Sequence, residues 1–122
     1  MASNPGPRRG ELVTTVSGDY GKPRPALVIQ SDAFSQLPSV TVLRITSELH
    51  DWSLLRITVP PTEANGLRKP SQIMIDKAAT VPRAELGSCI GLLEADRLRS
   101  VERALQAFLG LEGRTPLSFP QP

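Results

Sequence analysis

Hydrophobic positions along this chain recur mainly at every second residue, in short runs separated by glycine, proline and polar clusters. Glu11-Leu12-Val13-Thr14-Thr15-Val16 is rich in β-branched residues and predicts a first strand. Ala26-Leu27-Val28-Ile29 is a continuous apolar run closed by Gln30, which predicts a strand covered on both faces. Val40 to Ile45 predicts a third, with Val40 and Val42 on one face and Thr41 and Leu43 on the other. Leu55-Arg56-Ile57-Thr58-Val59 and Gln72-Ile73-Met74-Ile75-Asp76 both alternate, as half-buried strands do, and Ser88 to Leu92 predicts a last short strand. Between them, Gly18 to Gly21 reads as a turn and Asp32 as the cap of a helical turn reaching Phe34. Pro60-Pro61 is a strand stop, Asn65-Gly66 a tight turn, and Pro82 and Gly87 bracket one helical turn over Arg83 to Leu86. The period then changes. Leu98, Val101, Leu105 and Phe108, with Ala104 beside them, recur at helical spacing, with Glu94 and Asp96 at the start and Gly110 as the stop. The opposite face, Arg97, Arg99, Glu102, Arg103 and Gln106, is charged or polar, so the helix is expected to pack across an open end of the sheet. It has no helix-turn-helix partner before it. Five or six short antiparallel strands followed by one helix predict a mainly β fold (β with α), a small barrel with a C-terminal helix.

Composition narrows this picture without changing it. The 122 residues predict one domain, and 39% hydrophobic residues are compatible with a packed core. Residues 1–8 read as a flexible N-terminal tail, 9–111 as the domain, and 112–122, with three prolines, as a flexible C-terminal tail. No run approaches the length of a transmembrane helix, and the N-terminus lacks the apolar core of a secretory signal, so no membrane association and a cytoplasmic location are expected. Cys89 is the only cysteine, which excludes an intrachain disulfide and predicts a buried free thiol. A formal charge of +2 and a pI of about 9.1 permit nucleic-acid binding without requiring it.

Most catalytic chemistries find no residues here. One histidine and one cysteine give no zinc-like ligand spacing, so no metal and no cofactor are expected. There is no Gly-x-Ser-x-Gly elbow, no phosphate-binding glycine loop, and too few aromatics for a stacking sheet. What stands out is Gly21-Lys22-Pro23-Arg24-Pro25 ahead of the apolar run. The two prolines stiffen the segment, and Arg24 presents a planar fork of donors suited to a phosphate.

That loop, followed by a strand ending in Ile45-Thr46-Ser47, resembles the MazF/PemK toxins of bacterial toxin–antitoxin pairs. Asn65-Gly66-Leu67, Ser71-Gln72-Ile73-Met74-Ile75-Asp76 and Leu86 through Ile90-Gly91-Leu92 match in the same order, so the resemblance spans about Arg9 to Leu111. It implies an SH3-like barrel with a C-terminal helix (the CcdB/MazF-like fold) and a metal-independent, sequence-specific endoribonuclease cutting single-stranded RNA through its own 2′-hydroxyl. It implies Arg24 and Thr46 as the catalytic pair, a homodimer, and an antitoxin whose extended tail covers the RNA groove. Tyr20, Lys22, Ser47 and Gln72 are the expected RNA contacts, each with an ordinary structural role as the alternative. His50 is a weaker candidate for a base. Arg44, Arg56, Arg68 and Lys69 are phosphate contacts or exposed strand charges, and Asp76-Lys77 is a local polar contact. The loop between the first two strands is short, which leaves less chain to close over a substrate. Two rival readings belong to other classes. CcdB-type toxins share the fold and poison gyrase, but depend on a C-terminal Trp-Gly-Ile, whereas this chain ends in Ser118-Phe119-Pro120-Gln121-Pro122. A non-catalytic SH3-like peptide-binding module would need an aromatic groove.

Overall fold

The computed structural model describes residues 6–16, 22–52 and 54–111. The Gly18–Gly21 turn with Tyr20, residues 1–5 of the expected N-terminal tail and the whole expected C-terminal tail, 112–122, lie outside them. Six strands form one antiparallel sheet: β1 (Glu11–Thr15), β2 (Arg24–Val28), β3 (Ser39–Thr46), β4 (Arg56–Val59), β5 (Ser71–Pro82) and β6 (Leu86–Leu92), in the order β4-β5-β3-β2-β1-β6. A 15-residue helix, α1 (Ala95–Leu109), follows β6. The sheet curls until the loop after β4 reaches β6, where the Leu92 amide donates to the Ala64 carbonyl at 2.9 Å.

Period-2 alternation sorts the central strands onto two cores. Leu12, Leu27, Leu43, Ile45, Ile73 and Ile75 face one way, joined by Val59, Leu93 and Val101 of α1. Val13, Ala26, Val28, Val40, Val42 and Val81 face the other. The apolar run of β2 is thus covered on both faces, as its lack of polar alternation predicts. Helix α1 packs with Val101 fully buried and Leu98, Ala104 and Leu105 partly so. Phe108, on the same periodic stripe but in the last helical turn, remains 49% exposed. Gly110 closes the helix in the left-handed region at φ 71°.

Two local departures from sequence expectation matter. Ser31, not Asp32, caps the first short turn, its hydroxyl accepting from the Ala33 amide at 3.1 Å; Asp32 instead accepts from the Arg9 amide at 2.8 Å. Strand β5 runs on through Lys77-Ala78-Ala79-Thr80 to Pro82, where no alternation marks it. The pairing partner imposes it: Leu43 aligns with Ala78 and Ile45 with Ile73, so Arg44 alone faces Met74 to Lys77. This bulge bends β5, letting its first half serve β4 and its second half wrap β3.

The turn after β4 is anchored by Asn65, which is wholly buried. Its side-chain oxygen accepts from the Thr62 and Leu67 amides, both at 3.0 Å, and its amide donates to Pro60 (3.0 Å) and Glu94 (3.2 Å). Glu94 also accepts from the Thr62 hydroxyl at 2.7 Å. That bond, aided by Asn65 and Arg97, holds the Glu94 carboxyl below the usual glutamate range against the opposing effect of burial. Gly66 then adopts φ 75° and lies against the Ile90 carbonyl of β6. Cys89 is exposed rather than buried, because β6 turns most of its residues to solvent. Partial burial of the sulfur and the neighbouring Glu11 nevertheless raise its thiol pKa, so it is not poised as a nucleophile.

Candidate functional site

The alternation that builds the second core also builds the site. Residues 24, 26 and 28 of β2 share a face, as do 42, 44 and 46 of β3. Ala26 aligns with Arg44 and Val28 with Val42, so the same register continued outward brings Arg24 level with Thr46 on the adjoining strand. Thr15 of β1 aligns with Arg24 from the other side. Past the end of the apolar floor these residues open a cavity of about 380 Å³, walled by Thr15, Arg24, Arg44, Thr46, Met74 and Val81. Two guanidinium groups and two hydroxyls therefore face one pocket with an apolar base. Such a site attracts an anion and strengthens each hydrogen bond made to it.

Arg24 is exposed at the first position of β2, between the two prolines. Thr46 is half-buried at the last position of β3, and its hydroxyl accepts from the Glu48 amide at 3.0 Å. That bond occupies one lone pair and orients the hydroxyl, which still has its proton to donate. Ser47 follows, exposed. Lys22 is exposed on the segment leading into β2. The structure thus brings Arg24 and Thr46 together with Ser47 beside them. Gln72 is directly opposite Thr46 on β5, but its side chain is engaged: it accepts from the His50 amide at 2.9 Å, donates to the His50 carbonyl at 2.8 Å and reaches the Thr58 hydroxyl at 3.1 Å. Gln72 holds the loop after β3 in place.

Arg44 lines the pocket, whereas Arg68 and Lys69 are exposed on the loop before β5. Arg56 is neither an exposed charge nor a phosphate contact. Its side chain is 5% exposed, ion-pairs with Asp76 and donates to the Leu55 carbonyl at 3.0 Å. The Asp76–Lys77 contact, at 3.7 Å, is the looser of the two that Asp76 makes. Burial disfavours the Asp76 carboxylate, but the Arg56 hydrogen bond and charge, with Lys77, outweigh it and hold its pKa below the aspartate value. A depressed folded-state pKa stabilises the fold above the unfolded value, and that stability is lost as pH falls through the folded one. Stability is therefore expected to be flat near neutrality and to decline below about pH 4. Asp76→Asn should melt earlier at pH 7 and show a shallower acid decline. An acid limb unchanged in Asp76→Asn would refute the assignment.

Thr15 escaped the sequence reading. Only the register of β1 against β2 places it by Arg24. Among the described residues no three His, Cys, Asp or Glu side chains gather as a metal site, and no helix is long and apolar enough to cross a membrane.

Comparison with known proteins points to one family. A family model described as PemK-like, MazF-like toxin of type II toxin–antitoxin system matches residues 8–109. A probable endoribonuclease MazF of Mycolicibacterium smegmatis is 49% identical over 109 residues, covering 87% of this chain and 99% of that protein. Among solved structures, the Mycobacterium tuberculosis toxin MazF-mt6 superposes with a TM-score of 0.70 at 26% identity, over 84% of this chain and 97% of that one. An endoribonuclease from a mycobacterial species, in complex with its cognate antitoxin, shares the fold with a TM-score of 0.75 at 21% identity, covering 96% of this chain and 100% of that one.

Proposed function

Because the chain belongs to the PemK-like, MazF-like toxins of type II toxin–antitoxin systems, we propose that it is a metal-independent, sequence-specific endoribonuclease acting on single-stranded RNA from the Arg24–Thr46 pocket. The observation that carries this reading is the placement of those two side chains level on adjoining strands in one cavity. RNA brings its own nucleophile. The 2′-oxygen bonds to the adjacent phosphorus while the phosphorus–5′-oxygen bond breaks. The 2′-hydroxyl gives up its proton and the departing 5′-oxygen gains one. The products are a 2′,3′-cyclic phosphate and a 5′-hydroxyl. The protein's task is to hold the phosphate in line and to stabilise the charge that builds on its non-bridging oxygens.

Arg24 supplies that charge stabilisation. A guanidinium with a pKa above 12 stays cationic throughout, which suits it to binding the phosphorane rather than to proton transfer. The Thr46 hydroxyl, oriented by the Glu48 amide, donates to the same phosphate. Arg44 adds a second positive charge at the pocket wall. Lys22, Tyr20 and Ser47 contact the flanking RNA, while Gln72 acts through the loop it braces. The active form is a homodimer. An antitoxin segment, extended and acidic, competes with RNA for the pocket.

The test is to incubate the purified protein with a long RNA in EDTA and map the new ends. Discrete cuts leaving 5′-hydroxyl ends, insensitive to EDTA and absent in Thr46→Ala, are expected. Failure of the inhibitor-free wild type to cut any of several varied RNAs would overturn the proposal.

A further inference from the structure

Beyond the pocket, on the same face of the sheet, is an aromatic surface with no structural reason to be open to solvent. Trp52 is 51% exposed and stacks on His50 with ring centroids 4.6 Å apart and planes 11° from parallel. The guanidinium of Arg56 sits 4.9 Å from the indole centroid. Arg56 is buried and pinned by Asp76, so it forms a fixed cationic base, while the imidazole and indole form the outward part. A large apolar ring left this exposed is normally flexible. Here it is held from below by a cation and at its neighbour by two backbone hydrogen bonds.

The position of this stack follows from the register. Arg24, Thr46, Gln72 and Thr58 stand level on four successive strands, β2, β3, β5 and β4. Directly opposed residues of antiparallel strands send their side chains to the same face. Gln72 therefore rises beside Thr46, about 5 Å away across the sheet, and its carboxamide grips both the amide and the carbonyl of His50. Arg56 aligns with Met74, which itself lines the pocket. The stack is thus braced one strand beyond the residue that would hold the scissile phosphate.

We infer that the His50–Trp52 stack is a nucleobase platform, on which a base flanking the cut lies flat, and that it helps set which RNA sequences are cleaved. This rests on the ribonuclease reading above. The chemistry suits a base because every base has a π-face, single-stranded RNA exposes it, and a prebraced ring loses little freedom when it is covered. Arg56 contributes as a positioning residue, fixing the indole from below. The base is a ligand distinct from the phosphate held at Arg24, so the two can be lost separately.

Trp52 is the only tryptophan, which makes its fluorescence a direct reporter. The experiment titrates the wild-type protein with an RNA containing its mapped cut site, made uncleavable by a 2′-deoxy sugar at the nucleotide 5′ to the cut. Saturable quenching of Trp52 is expected. Trp52→Ala should weaken binding by roughly 5- to 150-fold, the range for one stacked base, and relax the cut-site preference at one flanking position. Trp52→Phe should recover most of the affinity. His50→Ala retains the reporter and should lose part of the quenching, so the result does not depend on one variant folding; circular dichroism checks each. Unchanged fluorescence, with Trp52→Ala binding RNA as wild type does, would overturn the platform while leaving Arg24-dependent cutting, and so the ribonuclease reading, intact. Quenching by an acidic extended peptide but not by RNA would overturn it in favour of a protein-docking surface. A wild type that cuts no RNA would sink both.

Discussion

Arg24→Ala is expected to lower kcat for RNA cleavage by about 10²–10³, the loss associated with removing one preorganised donor from a developing anion, or on the order of 2.7–4 kcal/mol. The fold should be untouched. Arg24 is exposed, begins its strand, and contributes nothing to either core. Its backbone place is secured by pairing with Thr15 and by the prolines on either side. The informative partner is Arg24→Lys. Lysine keeps the charge but offers a point donor in place of a planar fork. If Arg24 acts by bidentate contact with the phosphorane, Arg24→Lys should stay nearer the alanine variant than the wild type. If charge at the pocket mouth were all that mattered, lysine would restore most of the rate. Single-turnover cleavage of a defined oligonucleotide, with melting curves alongside, distinguishes the cases. Full activity in a well-folded Arg24→Ala would remove the residue from the mechanism.

The largest effect on stability is expected at a glycine far from that chemistry. Gly66→Ala should cost about 2–5 kcal/mol, combining roughly 1–2 for a side chain in the left-handed region with roughly 1–3 for forced overpacking. The reason is specific. Gly66 has φ 75°, and a Cβ there would lie 1.9 Å from the Ile90 carbonyl oxygen. The clash is with backbone, so no rotamer change relieves it, and the turn must separate from β6. The same seam is tight from the other side, where a Cβ on Gly91 would come 2.3 Å from the Asn65 carbonyl carbon. Gly110 is the control: its φ of 71° is nearly the same, but nothing lies within 4 Å of its would-be Cβ. Gly110→Ala should therefore pay only the conformational part. At about 3–6 °C per kcal/mol, between the values for smaller and larger domains, the two variants should melt well apart. Melting temperatures within a few degrees of each other would show that the seam yields more easily than its geometry implies.

What could be read from the sequence follows where the physics is local. Strand identity comes from β-branched residues and alternation, and those signals placed all six strands and the helix. The part of β5 beyond Asp76 was invisible because Lys77-Ala78-Ala79-Thr80 has no preference of its own; its conformation comes from β3. Arg24 was legible through its two prolines, and Thr46 through the resemblance that runs in order along the chain. Thr15 was not, since it reaches the pocket only by pairing with Arg24. The reading of Arg56 failed for a similar reason. Within its own strand it stands at a polar position, and the carboxylate that makes burial tolerable is 20 residues away at Asp76. His50 is conspicuous in the sequence as the only imidazole, but its pairing with Trp52 depends on a loop path set by Gln72.

The pairing of β1 with β6 bears on how this molecule comes into being. Glu11 aligns with Leu92 and Thr15 with Leu86, so the first strand, paired on one edge with β2, finds the partner for its other edge only among residues made much later. On a ribosome, β1, β2 and β3 emerge early, yet the edge of β1 stays unpaired and the seam at Gly66 unfilled until β6 has left the exit tunnel. Non-local strand pairing of this kind is slow, on the millisecond-to-second scale, because a long loop must close before any contact repays it. The strands that line the pocket, β1, β2, β3 and β5, are therefore all made before the sheet around them can close. A nascent chain stalled before Leu86 would carry every residue of the phosphate site and still have no finished barrel to hold them.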